Sequence, residues 1–333
     1  MPCIAVFGWA ASAASASASV SAAALAAPES LFGLAALAFF VIAYLLVMTE
    51  EVHHLRKSKP VLITAALIWA LLAAEGARHG DAGRAMVEQA FSHTFLDFAE
   101  LFAFLLVAMT YVNALTERQV FATLRAWLIQ RRFGYRAVFW ITGLCAFALS
   151  PFIDNMTTAL IMGAVAITVG AGERRFIALC CINIVVAANA SGAFSPFGDV
   201  TTLMVWQQGV LPFFAFFALF LPSIINWIVP AALMALALPR GVPPPARDEA
   251  RLRPGAMGVV LLFAATIATT VSAHQFLGLP AVYGMLAGLG YLQLYGFVLH
   301  RRESIALSNG ELGQIVPFDV FRQVALAEWD TLL

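Results

Sequence analysis

Long apolar stretches alternate with short polar ones along this chain, and most of the apolar stretches have the length of a membrane span. A spanning helix needs about 20 largely apolar residues. The pattern predicts helices over 31–49, 60–74, 95–115, 176–190, 211–238, 256–273 and 280–299. The stretch 137–170 carries almost no charge and is broken once, at Ser150-Pro151. It reads either as two spans or as one span and a hairpin. The run from 176 meets a Gly/Ser/Pro interruption after residue 190 and resumes over 201–207. Between them, 120–132 alternates apolar and basic positions at helical spacing, which predicts a helix lying at the membrane interface.

Composition agrees with that pattern. Of 333 residues, 62% are hydrophobic and 11% charged, against roughly 25% charged in soluble domains. Too few charges are present to cover a soluble core of this size. The formal net charge is zero, so nothing points to nucleic acid as a partner. Cys3, Cys145, Cys180 and Cys181 lack metal or redox spacing and read as thiols in apolar surroundings. Residues 1–30 form an Ala/Ser-rich, signal-like leader without a basic start. The remainder, 31–333, reads as one multi-span domain. Charge then orients it. Sixteen of the 19 Lys and Arg residues fall in the loops 50–60, 116–136, 171–175, 239–255 and 300–302. Arg78 and Arg84 lie in the opposite loop, and Arg322 lies near the end. Cytoplasmic loops carry such an excess, so the expectation is a multi-pass membrane protein with these loops in the cytoplasm and its N-terminus outside. His53, His54, His79, His274 and His300 fall at expected span ends, where an interfacial position is the default.

The chemistry concentrates in the two interruptions. The first runs Ser150-Pro-Phe-Ile-Asp154-Asn155-Met-Thr-Thr158, and the second Asn189-Ala-Ser-Gly-Ala-Phe-Ser-Pro-Phe-Gly-Asp199-Val-Thr201-Thr202. Irregular backbone at membrane depth survives only where protein or water covers it, and transporters use such breaks to hold ions. An aspartate at the bilayer centre costs at least about 2.5–3.5 kcal/mol, which favours a use for Asp154 and Asp199. The competing reading places both at the surface as simple helix caps. Carboxylates with hydroxyl and amide oxygens make a hard-oxygen site in which a proton and a small cation compete. Asp154 and Asp199, with the hydroxyl and amide oxygens beside them, are the predicted cation and proton site. His93, Asp97 and Glu100 share one helix face at spacing i, i+4, i+7 and form a possible proton port or pH sensor. The plain alternative is a solvated helix start.

Three segments carry a resemblance. The stretches 150–160, 187–206 and 108–119, the last reading Ala-Met-Thr-Tyr-Val-Asn-Ala-Leu-Thr-Glu-Arg-Gln, are similar to signature segments of NhaD-type sodium/proton antiporters of the ion transporter superfamily. The resemblance implies an all-α polytopic membrane protein. It also implies a first inverted repeat, with broken helices or a re-entrant hairpin, and the start of a second half. Na⁺ or Li⁺ would leave in exchange for H⁺, no cofactor is needed, and a homodimer follows by superfamily analogy. Ser150, Asp154, Asn155, Asn189, Asp199, Thr201 and Thr202 match the family's intramembrane polar residues, which implies that they are the cation and proton ligands, and His93 and Glu100 match positions of pH-related role. The family is longer, with a second inverted half, so the chain reads as a C-terminally shortened portion.

Two other functions compete. An anion permease for arsenite or di/tricarboxylates would want cationic help at the breaks, and neither break contains Lys or Arg. An intramembrane aspartyl protease would use Asp154 with Phe197-Gly198-Asp199, but Pro196 stands where its motif needs glycine.

Overall fold

The computed structural model describes residues 31–53, 56, 58–131, 133–170, 172–239, 241, 250–308, 318–327 and 329. The predicted leader and the last four residues lie outside the described residues, as do Cys3, His54, Arg132, Arg240 and Arg247. In chain order the helices are α1 (Leu31–Met48), α2 (Glu50–His53), α3 (Ser58–Arg78), α4 (Gly80–Glu117), α5 (Val120–Gln130), α6 (Tyr135–Leu149), α7 (Asn155–Gly170), α8 (Arg174–Gly192), α9 (Val200–Gln207), α10 (Phe220–Leu236), α11 (Ala256–Leu277), α12 (Ala281–Ser308) and α13 (Val320–Ala325). A 3₁₀ segment, Phe213–Leu219, leads into α10. Every regular element among the described residues is helical. Among the described residues, seven helical segments are long and apolar enough to cross a membrane: α1, α3, α4, α8, Phe213–Leu236, α11 and most of α12. The chain is a polytopic, all-α membrane protein.

α6 and α7 have 15 and 16 residues. At 1.5 Å per residue each rises about 22–24 Å, less than a hydrocarbon layer of about 30 Å. Their lengths fit the hairpin alternative for 137–170. Pro151 ends α6 because it brings no N–H and clashes with the preceding turn. Asp154 then starts α7, its carboxylate accepting from Thr157 N at 2.8 Å.

The described residues fall into two compact units, one up to Phe102 together with Trp329, and one spanning Ala103–Ala327. The core of the second unit is an apolar cluster built from α5, α6, α7, α8 and α10, with Phe139, Met162, Phe176, Ile184 and Trp227 at its centre. A polar staple crosses this cluster. Asn183 donates to Phe139 O at 2.8 Å and accepts from Trp227 Nε1 at 3.0 Å. Gly143 leaves room for it, since a Cβ there would sit 2.5 Å from Asn183 Nδ2. α11 and α12 also pack closely, with Gly284 and Gly288 against Thr270 and Thr266. Small residues four apart let two helix backbones approach in this way. Tyr111 of α4 joins the pair, bonding Thr266 Oγ1 at 2.8 Å and donating to Gly288 O at 2.7 Å.

Three expectations change. The helix expected from residue 95 begins at Gly80. The segment expected at the interface forms α5, but Phe121, Ala126, Leu128 and Ile129 are buried, and Leu128 and Ile129 enter the protein core. Arg118, counted among loop cations, is 1% exposed.

Candidate cation site at the two helix breaks

Each break leaves backbone groups without helical partners, and hydroxyls at the breaks reach across to the neighbouring segment. Ser150 donates from its hydroxyl to Ala188 O at 2.8 Å. Ser195 donates to Pro151 O at 2.8 Å, so the proline carbonyl freed in the first break is satisfied from the second. Thr202 Oγ1 lies 2.9 Å from both Ser195 O and Asp199 O, which closes the second break on itself. Its turn also needs glycine for space. A Cβ on Gly198 would lie 2.6 Å from Gly192 Cα and 2.7 Å from Gly192 O.

Both aspartates cap helices. Asp199 accepts from Thr201 N at 3.3 Å at the start of α9, as Asp154 does for α7. The capping alternative therefore holds as geometry, and it does not exclude a second role. Asp154 and Asp199 both line one small cavity of about 50 Å³, together with Ile153, Phe197, Leu203 and Met109 among other apolar side chains. α4 supplies one wall, and Phe263 of α11 and Met285 of α12 complete it. Phe104 closes against Phe197 with ring centroids 5.6 Å apart. No lysine or arginine is among the lining residues. A water needs roughly 10–15 Å³ by this measure, so the space suits a small ion with a few waters. A tricarboxylate is far larger. Among the described residues, Asp154 and Asp199 are the only ionisable ones in an otherwise apolar lining.

The predicted ligands do not all converge. Asn155 donates to Asn189 Oδ1 at 2.8 Å, and Asn189 donates in turn to Val185 O at 2.9 Å. This amide pair lines a separate groove of about 500 Å³ between α7 and α8, with Met156, Leu160 and Cys181. Ser150 is fully buried and spends its hydroxyl on the backbone. Thr201 is exposed, and its contact with Asp199 runs through its backbone N–H. His93 Nδ1 and Asp97 Oδ2 lie 3.3 Å apart on α4, both side chains about two-fifths exposed, and Glu100 is half-buried on the same helix. These three belong to the first compact unit, whereas the cavity belongs to the second.

Motif reading missed several polar groups at depth. Asn183, Tyr111 and Thr266 lie within apolar runs, where a lone amide or phenol is itself a signal. Arg118 pairs with Glu303 of α12, with a second contact of 3.4 Å, and donates to Pro254 O at 3.1 Å. Its guanidinium also stacks on Phe318, 4.6 Å from the ring centroid.

Comparison with known proteins follows the same lines. The profile of the citrate transporter family matches residues 44–306. The Na(+)/H(+) antiporter NhaD of Alkalimonas amylolytica is 49% identical over 93% of this chain and 68% of its own length. NhaD of Vibrio cholerae is 48% identical over 92% of this chain and 66% of its own length. Sodium/proton antiporter 2 of Arabidopsis thaliana is 30% identical over 78% of this chain and 62% of its own length. The chain thus spans about two thirds of the length of these relatives. No solved structure matches it.

Proposed function

Because the chain belongs to the NhaD family of Na⁺/H⁺ antiporters, we propose that it carries the ion-handling core of a secondary transporter that exchanges Na⁺ or Li⁺ for H⁺ across a bacterial cytoplasmic membrane. The observation that carries this reading is the cavity in which Asp154 and Asp199, each from a different helix break, face a common space without any cationic side chain. Relatives of the family are transporters, which removes the protease alternative.

The carboxylates bind a proton or a small cation, and one occupant excludes the other. A loaded pocket is neutral enough to rearrange within the membrane, while an empty pocket with two bare carboxylates is held back by the cost of charge at depth. Exchange follows from that asymmetry. Ser150, Ser195 and Thr202 act on the ion indirectly, by holding the two breaks together. Asn155 and Asn189 would handle the ion at a separate station on the α7–α8 groove. His93, Asp97 and Glu100 form the proton port or pH-sensing group of α4.

The citrate transporter profile supports one competing reading, an anion carrier. Everted membrane vesicles containing the protein and a pH-gradient dye separate the two. Added Na⁺ or Li⁺ is expected to collapse the gradient, and citrate is expected to have no effect. Absence of any cation response between about pH 6 and 9.5, with uptake of labelled citrate instead, would defeat the exchanger.

A further inference from the structure

The first compact unit contains a groove that the exchange reaction does not use. α3 and α4 form a tight hairpin turned at Gly80, where φ is +72°. Gly76 and Gly83 bring the helices together, since a Cβ on Gly83 would meet Gly76 O at 2.3 Å. Below this turn the helices leave a cavity of about 370 Å³ lined by Trp69 and Ala73 of α3 and by Arg84, Val87, Glu88 and Phe91 of α4.

The lining is graded. Arg84, Glu88 and Phe91 are spaced i, i+4, i+7 and therefore follow one face of α4 away from the turn. Trp69 meets Phe91 edge-on at 5.1 Å at the deeper end. The polar end thus lies toward the turn and the aromatic end toward the middle of α3, a gradient that runs in the direction of a phospholipid from headgroup to chain. Arg78 and Arg84 are the only lysine or arginine residues in this loop, and His79 is engaged with Glu75 at 3.3 Å. Arg78 is engaged with Glu75 at 3.5 Å and with the Phe32 ring at 5.5 Å. Arg84 has Asp81 at 3.9 Å, with both side chains largely exposed. Among the described residues Glu88 takes part in no ion pair. A cation and an anion one turn apart, about 5–6 Å between Cβ atoms, complement a headgroup whose phosphate and ammonium are joined by a two-carbon bridge.

We propose that this groove binds one phospholipid with a zwitterionic, primary-ammonium headgroup. Its phosphate rests on Arg84, its ammonium on Glu88, and its upper chain along Ala73, Val87, Trp69 and Phe91. The lipid belongs to the leaflet at the α3–α4 turn, opposite the basic loops. A primary ammonium donates hydrogen bonds to Glu88, which a quaternary one lacks, so the site selects phosphatidylethanolamine over phosphatidylcholine. Phosphatidylglycerol offers no cation to Glu88 and is disfavoured by like charge.

Native mass spectrometry of the purified full chain, loaded from mixed micelles of these three lipids, tests the assignment. The expected result is preferential retention of phosphatidylethanolamine, reduced several-fold in Arg84→Gln and in Glu88→Gln. Both residues are exposed and fully replaceable in a helix, so melting temperatures should stay at the wild-type value. Glu88→Lys should reverse the preference toward phosphatidylglycerol. Equal retention of all three lipids, unchanged retention in both glutamine variants, or a lipid-free dimer that shields the thiol of Trp69→Cys would each overturn the proposal.

Discussion

Asp154 and Asp199 each do two things at one carboxylate. One oxygen of each accepts a backbone N–H at a helix start, and both residues line the small cavity. The two roles can be separated, because asparagine caps a helix about as well as aspartate whereas alanine costs roughly 1 kcal/mol at such a position. Asp154→Asn is therefore expected to leave the melting temperature in detergent nearly unchanged and to abolish cation-dependent collapse of the pH gradient in vesicles. The same holds for Asp199→Asn. Asp154→Ala should lose both, with a stability loss of about 1 kcal/mol. An asparagine variant that still exchanges would show that the carboxylate serves only as a cap. Sequence located these two residues because a charge within an apolar run is conspicuous. It could not separate Asp154 from Asn155. Asp154 precedes the first helical residue and Asn155 is that residue, and successive positions on a helix diverge by about 100°. One faces the cavity and the other the α7–α8 groove.

The break itself is the unit at the next scale. Gly192 and Gly198 touch through backbone atoms, and no side chain fits between them. Neither has a positive φ, so the demand is for space and not for a left-handed conformation. Gly198→Ala should cost about 1–3 kcal/mol, the range for overpacking, and should displace Asp199, its immediate neighbour. Denaturation of the purified variant together with its vesicle activity would check this, and a fully stable, fully active variant would contradict the packing. The breaks were legible because Pro151, Pro196 and Gly198 interrupt apolar runs. The start of α4 was not. Residues 80–94 carry Asp81, Arg84, Glu88 and His93, so a search for apolar runs passes over them. They remain helical because no proline occurs between Gly80 and Glu117.

For the larger unit, Ala103–Ala327, the decisive long-range link is Arg118 to Glu303, 185 residues apart. Counting charges placed Arg118 in a solvated loop, and nothing local marks its partner. The pair joins the end of α4 to α12, reaches the chain before α11 through Pro254 O, and receives the backbone N–H of Phe318 on Glu303 Oε2 at 2.9 Å. α4, α11 and α12 are the helices that wall the cavity on the side away from the breaks. Removing one member of a buried pair leaves an uncompensated charge and costs about 3–5 kcal/mol, whereas replacing both with apolar residues of similar size is often nearly neutral. Arg118→Met should therefore lower the melting temperature strongly, and Glu303→Leu likewise. The double variant should recover part of the loss in stability, because the opposed charges leave together while Pro254 O, the Phe318 N–H and the Glu117 carboxylate each lose a partner. Exchange should recover with it, because the pair shapes the wall and touches no ion. A double variant that melts as low as either single one would mean that the fold depends on the charges themselves. Recovered stability without recovered exchange would mean that transport does.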